Sequence, residues 1–337
     1  MNWTPTRRAV VGGLAASGLA GTALSAGALR FGPATPFSFD MLKARARRLA
    51  RMLYREPTPP AGLHALDFDA IGAVRYRPED ALWKDVPGVA PVEFFHLGRY
   101  ARTPARISVV EDGRARRVAY SKALFDIPAG NPAASLPDNL GFAGFRVMNT
   151  DAPGDWLAFE GASYFRAAAP FNQYGLSARA IAIDTASATP EEFPAFTDFW
   201  LGHDGDRNLV VHALLDGPSV TGAFRIVHRK EAKQLIQDVE AALTFRRGVA
   251  RLGLAPLTSM YWYGRGDRGR GADWRPQIHD SDGLSMWTGA GERIWRPLGD
   301  PPRVIVNAFQ DRNPRGFGLM QRDRAFADYQ DDGAFYD

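Results

Sequence analysis

The chain has 337 residues, of which 45% are hydrophobic and 23% charged, and a formal charge of +4. This is the composition of a folded globular protein long enough for one large domain or two ordinary ones, and it excludes a disordered chain. Set aside Arg7 and Arg8 in the N-terminal segment and the charge falls to near +2, which gives no electrostatic ground for nucleic acid as a partner. Cysteine is absent, so disulfides, zinc–thiolate sites and thiol nucleophiles are excluded, and export without oxidative folding is compatible.

Taken in chain order, the first legible element is a targeting segment. Paired arginines, Arg7 and Arg8, precede an Ala- and Gly-rich apolar run that ends in Ala26-x-Ala28, a small-residue cleavage site. Residues 1–28 are therefore expected to be a twin-arginine signal peptide, read by the twin-arginine translocation machinery and delivering the mature chain to the periplasm. The run from Ala9 to Leu29 is long enough to span a bilayer, which leaves a retained anchor as the rival reading. Its glycines and alanines make a poor lipid-soluble helix, and no later stretch could cross, so no stable membrane span is expected in the mature chain.

After Pro36, Leu42, Ala46, Leu49 and Leu53 recur at helical spacing while Lys43, Arg45, Arg47, Arg48 and Arg51 fill other faces. The spacing predicts one basic amphipathic helix ending before Pro57, its charged residues a solvated face rather than a lipid-binding one. From Ile71 to Phe309 short runs rich in Val, Phe, Tyr and Ile are cut by turn residues. The runs 91–96, 105–110 and 116–120 read as strands, and Asp112-Gly113 between the last two is a hairpin signal. Residues 209–215 and 221–228 form another expected pair around Asp216-Gly217-Pro218-Ser219. Such spacing argues for an all-β antiparallel sandwich rather than alternating βα units. One exception is expected: residues 230–245 look helical, with Leu235, Val239 and Leu243 at i, i+4 and i+8.

The stretch from Trp274 to Leu298 carries the chemistry. It packs His279, Asp280 and Asp282 between Trp274, Trp287 and Trp295. Indole faces suit the C–H faces of sugars, hydroxyls need convergent polar partners, and glycosidic cleavage needs carboxyl groups. A surface loop anchored by core tryptophans would have the same composition. Other motifs carry less. Gly264 to Gly269 matches GxGxxG, but Trp274-Arg275-Pro276 follows where a dinucleotide site needs a helix, so a mobile Gly/Arg loop is expected there. The six histidines lack metal-ligand spacing and no serine sits in a GxSxG elbow, so neither a metal nor a cofactor is expected.

Ordered blocks at 141–145 (GFAGF), 161–166 (GASYFR), 174–179 (YGLSAR), 253–260 (GLAPLTSM), 279–284 (HDSDGL), 294–298 (IWRPL) and 313–322 (NPRGFGLMQR) together resemble the periplasmic glucan biosynthesis proteins G and D. The resemblance runs from about Phe37 to the last residue, and the signal segment is similar to the D branch. It implies a large N-terminal β-sandwich of the galactose-mutarotase-like type, over 37–337, normally followed by a small immunoglobulin-like domain. It implies a periplasmic role on osmoregulated glucans with a β-1,2-linked backbone, and similarity to inverting endo-β-1,2-glucanases. In that mechanism one carboxylic acid protonates the leaving oxygen while a carboxylate activates water on the opposite face.

Carried over by residue, Asp280 matches the base side, where water is activated, and Tyr336 matches a family tyrosine beside that proton path. Trp274, His279, Asp282, Trp287 and Trp295 are the accompanying candidates for substrate binding. The general-acid aspartate implied by the resemblance lies beyond residue 337, as does the immunoglobulin-like domain. Asp282 and Asp184 are carboxylates nearby in sequence that nothing assigns as the acid. Three readings stay open: a β-1,2-glucan-cleaving or remodelling enzyme, a non-catalytic glucan-binding protein, and an inactive truncated product.

Overall fold

The computed structural model describes residues 29–169, 173–270 and 273–330, so the expected signal peptide and Tyr336 lie outside the described residues. The architecture is all-β, as the strand–turn pattern predicts. A seven-stranded sheet runs in the order Arg30–Pro36, Arg114–Ala119, Arg106–Glu111, Ala195–His203, Leu209–Asp216, Val220–Lys230 and Leu235–Phe245. A second seven-stranded sheet is built mainly from Tyr164–Ala169, Asp155–Glu160, Phe142–Met148 and Val92–His96. Pairing is antiparallel except where Arg106–Glu111 lies parallel to Ala195–His203.

The hairpins form where turn chemistry places them. Asp112 and Gly113 both have positive φ, 48° and 71°, as a two-residue turn matched to strand twist requires. Gly217 turns the next hairpin against Pro194, where a Cβ would come within 2.8 Å of the proline ring.

Phenylalanines from the two sheets meet in the middle. Phe145, Phe159 and Phe165 stack successively at 5.0 Å from the second sheet. Phe196, Phe199 and Phe224 answer from the first, Phe199 edge-on to Phe145 at 5.2 Å and to Phe159 at 5.6 Å. Edge-to-face and offset stacks add to the burial term because ring edges are positive and faces negative.

The basic helix is Phe39–Ala50, capped by the Ser38 hydroxyl, which accepts from Met41 N–H. Leu42 and Ala46 bury against Ala115, Trp200, Leu214 and Ala223 on the outer face of the first sheet. Two details depart from expectation. Leu53 lies past the helix end and is 92% exposed. Arg45 is not simply solvated, since it reaches the buried Asp198 at 3.1 Å.

The helix expected over 230–245 is a strand. Leu235–Phe245 pairs along its whole length with Val220–Lys230, from Lys230↔Leu235 to Val220↔Phe245. Positions i, i+4 and i+8 are also an even number of residues apart, so Leu235, Val239 and Leu243 share one strand face as readily as one helix face. Eleven ladder pairs with a long neighbour override a helical propensity worth only tenths of a kcal/mol per residue. Arg30–Pro36, which carries no readable period because of its glycine and two prolines, is an edge strand on Arg114–Ala119 with a bulge between Phe31 and Ala34.

Candidate functional site

The chain from Ile278 onward leaves the two large sheets. Ile278–His279 pairs with Tyr261–Tyr263, and Gly283–Trp287 forms the middle of a three-stranded sheet between Arg293–Pro297 and Gly316–Met320. Asp280 and Asp282 lie in the link between these two pieces, and both carboxylates hold main chain. Asp280 Oδ2 accepts from Met260 N–H at 3.0 Å while Asp280 N–H donates to Met260 O at 2.8 Å. Asp282 Oδ2 accepts from Arg322 N–H at 2.8 Å, and its N–H donates to Met320 O at 2.9 Å. Asp184 does the same elsewhere, accepting from Arg251 N–H at 2.8 Å.

His279 is 6% exposed, its ring stacked on Tyr261 at 5.2 Å and edge-on to Tyr329 at 5.4 Å. Nε2 sits 3.1 Å from Gln277 Oε1 and 3.5 Å from Asp282 Oδ1. Two acceptors on that side make Nε2 the protonated nitrogen of the neutral ring and leave Nδ1 as the acceptor. Nδ1 is buried with no partner among the described residues. Burial lowers the pKa of His279, opposed by Asp282 and then Asp280. Tyr261 is raised by burial and by Asp267. A neutral imidazole between two protonated phenols is the resulting state near neutral pH.

The tryptophans divide. Trp274 is 60% exposed. Trp287 and Trp295 are half-buried on one face of the three-stranded sheet, because Trp287 pairs with Arg293, Ser285 with Trp295, and cross-strand partners share a face. The same register puts Gly283, Ser285, Pro297, Gly316, Gly318 and Met320 on that face. The Trp295 ring lies over Gly283, where a Cβ would fall 2.5 Å from the indole, whereas a Cβ at Gly316 or Gly318 would meet nothing within 4 Å. Arginines lean over the indoles: Arg293 at 3.7 Å and Arg315 at 5.3 Å from the Trp287 ring centre, Arg322 at 4.5 Å from Trp295. These partners were not singled out in the sequence, although Arg293-x-Trp295 has the i, i+2 spacing of one strand face.

Around this sheet, the Gly/Arg segment expected as a mobile loop is a short 3-10 helix, Arg265–Arg270, whose Arg265 pairs with Asp323 at 3.4 Å and with Asp328. Among the described residues no group of three or more His, Asp or Glu side chains is placed to hold a metal, and no helix is long and apolar enough to cross a membrane.

A family model described as periplasmic glucan biosynthesis protein, MdoG, matches residues 37–337. Curated relatives agree: glucans biosynthesis protein D 2 of Ralstonia nicotianae is 48% identical over 96% of this chain and 63% of its own length. Glucans biosynthesis protein D of Xanthomonas campestris is 48% identical over 94% of the chain and 60% of its own length. The protein of that name from Stenotrophomonas maltophilia is 50% identical over 92% of the chain and 59% of its own length. The chain thus spans about 60% of the length of these relatives. It belongs to the periplasmic glucan biosynthesis (MdoG) family.

Proposed function

We propose that the protein is exported through the twin-arginine machinery to the periplasm and there binds β-1,2-linked glucan. One observation carries the binding reading. Trp287 and Trp295 share a sheet face that Gly316 and Gly318 leave open, with Arg293, Arg315 and Arg322 beside them as hydrogen-bond donors. A sugar ring stacks its C–H face on indole and directs hydroxyls at the guanidinium groups, displacing or flanking the arginine already there.

Cleavage or remodelling by an inverting mechanism is the second step of the proposal. Asp280 takes the water-activating side, Tyr336 is assigned to the proton path by the family resemblance alone, and His279 and Asp282 hold the link that positions Asp280. Support comes from the family and from Asp280 sitting beside a buried histidine that stays neutral. The alternative of binding without turnover draws on a different observation: both Asp280 and Asp282 already accept main-chain N–H groups, bonds that build the fold. Calorimetry with linear β-1,2-glucan and release of reducing ends, measured on the same preparation, separate the two. Binding with new reducing ends that vanish in Asp280→Asn supports catalysis, and binding without them leaves a glucan-binding protein. Absence of binding eliminates both.

A further inference from the structure

A cavity of about 740 Å³ draws none of its lining from Trp274 to Leu298. It opens where two strands of the first sheet part. Arg106–Glu111 and Arg114–Ala119 are paired from Glu111↔Arg114 to Ser108↔Arg117, and beyond that pair they separate. The wedge between them runs from the face covered by the helix Phe39–Ala50 into the sandwich interior at Tyr120, Leu140 and Phe142.

Its mouth is over-supplied with cations. Arg45, Arg106 and Arg117 all line it, and Arg45 and Arg106 share the carboxylate of Asp198, 4% exposed. Asp198 is saturated. Arg106 grips both its oxygens through Nε and Nη2 at 2.7 Å, Arg45 donates at 3.1 Å, and the Thr197 hydroxyl at 2.9 Å. Arg117 consequently has no side-chain hydrogen bond or ion pair among the described residues. Arg117 is still exposed to solvent, and partial burial, then the like charge of Arg106, lower its pKa. The carboxylate in the lining, Asp216, pairs through Oδ1 with Arg246 at 2.8 Å. Deeper in, the Tyr120 hydroxyl is buried without a partner among the described residues. Arg117 thus adds an unpaired guanidinium beside two that already grip Asp198, an excess of donors under which an oxyanion is bound by forked guanidinium groups.

We propose that this wedge is a binding site for a small oxyanion, a phosphate or phosphate-bearing group, held by Arg117 with Arg106 and Arg45, its remainder lying toward Tyr120 and Phe142. The site is separate from the tryptophan face and does not depend on the glucan reading.

The test is saturable binding to the whole chain, by calorimetry and thermal melting at constant ionic strength, with inorganic phosphate, glucose 6-phosphate and glucose as probes. Wild type is expected to bind a phosphate probe and not glucose. Arg117→Gln should weaken that binding at least tenfold, and Arg117→Lys, which keeps charge but loses the fork, by less. Arg116→Gln serves as control, since Arg116 lies on the opposite strand face over Phe31 and should leave binding unchanged. Equal binding of inorganic phosphate and glucose 6-phosphate identifies a free-anion site, while binding of glucose 6-phosphate alone identifies an anion carried on a sugar. Arg117 has no partner to lose, so the unliganded melt of Arg117→Gln should match wild type, and Arg117→Lys carries the test if it does not. The proposal is overturned if neither phosphate probe binds wild type above the chloride control, or if Arg117→Gln binds as wild type does.

Discussion

Aromatic residues serve opposite ends in two parts of this molecule. In the sandwich, Phe145, Phe159 and Phe199 are at most 4% exposed and pack against one another's rings. In the three-stranded sheet Trp287 and Trp295 are half-buried, lie beside glycines and are touched by arginines. A ring enclosed on both faces contributes stability through burial and dispersion, whereas a ring with a cation at its face and open space beside it contributes little to folding and keeps surface for a ligand. The difference lies in the neighbours more than in the residue type.

The sharpest way to break that comparison is truncation. Phe159→Ala removes a fully buried ring from a two-sided stack and should cost about 3–5 kcal/mol, read from the denaturant midpoint. If Trp287→Ala costs as much, the tryptophan face is core and the ligand reading loses its basis.

A second effect is read in the sandwich. His228 is 1% exposed beside Trp156 and Phe159, and burial lowers its pKa to about 3. The unfolded chain takes up this proton near pH 6.5 while the folded chain refuses it until about pH 3. Stability is therefore complete above pH 6.5 and falls as pH drops through this window, by about 1.4 kcal/mol per pH unit for one such group. His228→Phe should make the measured slope between pH 6.5 and 5 shallower by about that amount. An unchanged slope would show that the imidazole is not the group refusing the proton.

Smaller effects are expected in the link and in the outer sheet. Asp280→Ala breaks the bond from Met260 N–H and should cost about 1 kcal/mol in a thermal melt. Asp280→Asn keeps an acceptor and should cost less, so activity lost in Asp280→Asn at near wild-type stability separates a chemical role from a structural one. Trp287→Ala should cost about 0.5–1 kcal/mol, the worth of an exposed cation–π contact, yet weaken glucan binding severalfold by calorimetry.

Much of this was legible beforehand where local chemistry and tertiary structure agree. The Asp112-Gly113 turn needs two positive φ values that those residues tolerate, and the helix Phe39–Ala50 shows its apolar stripe openly. Legibility failed at 235–245, where even spacing fits both periods, and at Arg30–Pro36, where pairing is dictated by Arg114–Ala119. Within the candidate site, the grouping of Trp287 with Trp295 follows from hairpin register, whereas His279 joining Tyr261, Gln277 and Tyr329 depends on contacts across up to fifty residues that no spacing encodes.

The stretch Trp274 to Leu298 shows the division of labour. Its sequence determined the materials, indoles, carboxylates, a histidine and tight turns, and with the other ordered blocks it determined the family. Tertiary structure decided their use. It buried His279 between tyrosines, tied Asp280 to Met260 and Asp282 to Arg322, and put Trp287 and Trp295 half-buried on one face while Trp274 is exposed. It also brought Arg45, Arg106, Arg117 and Asp198 to one wedge from a helix and three strands. Composition and period are local quantities and survive in the one-dimensional chain, but charge balance in a cavity depends on which strands are neighbours, and only the folded sheets set that.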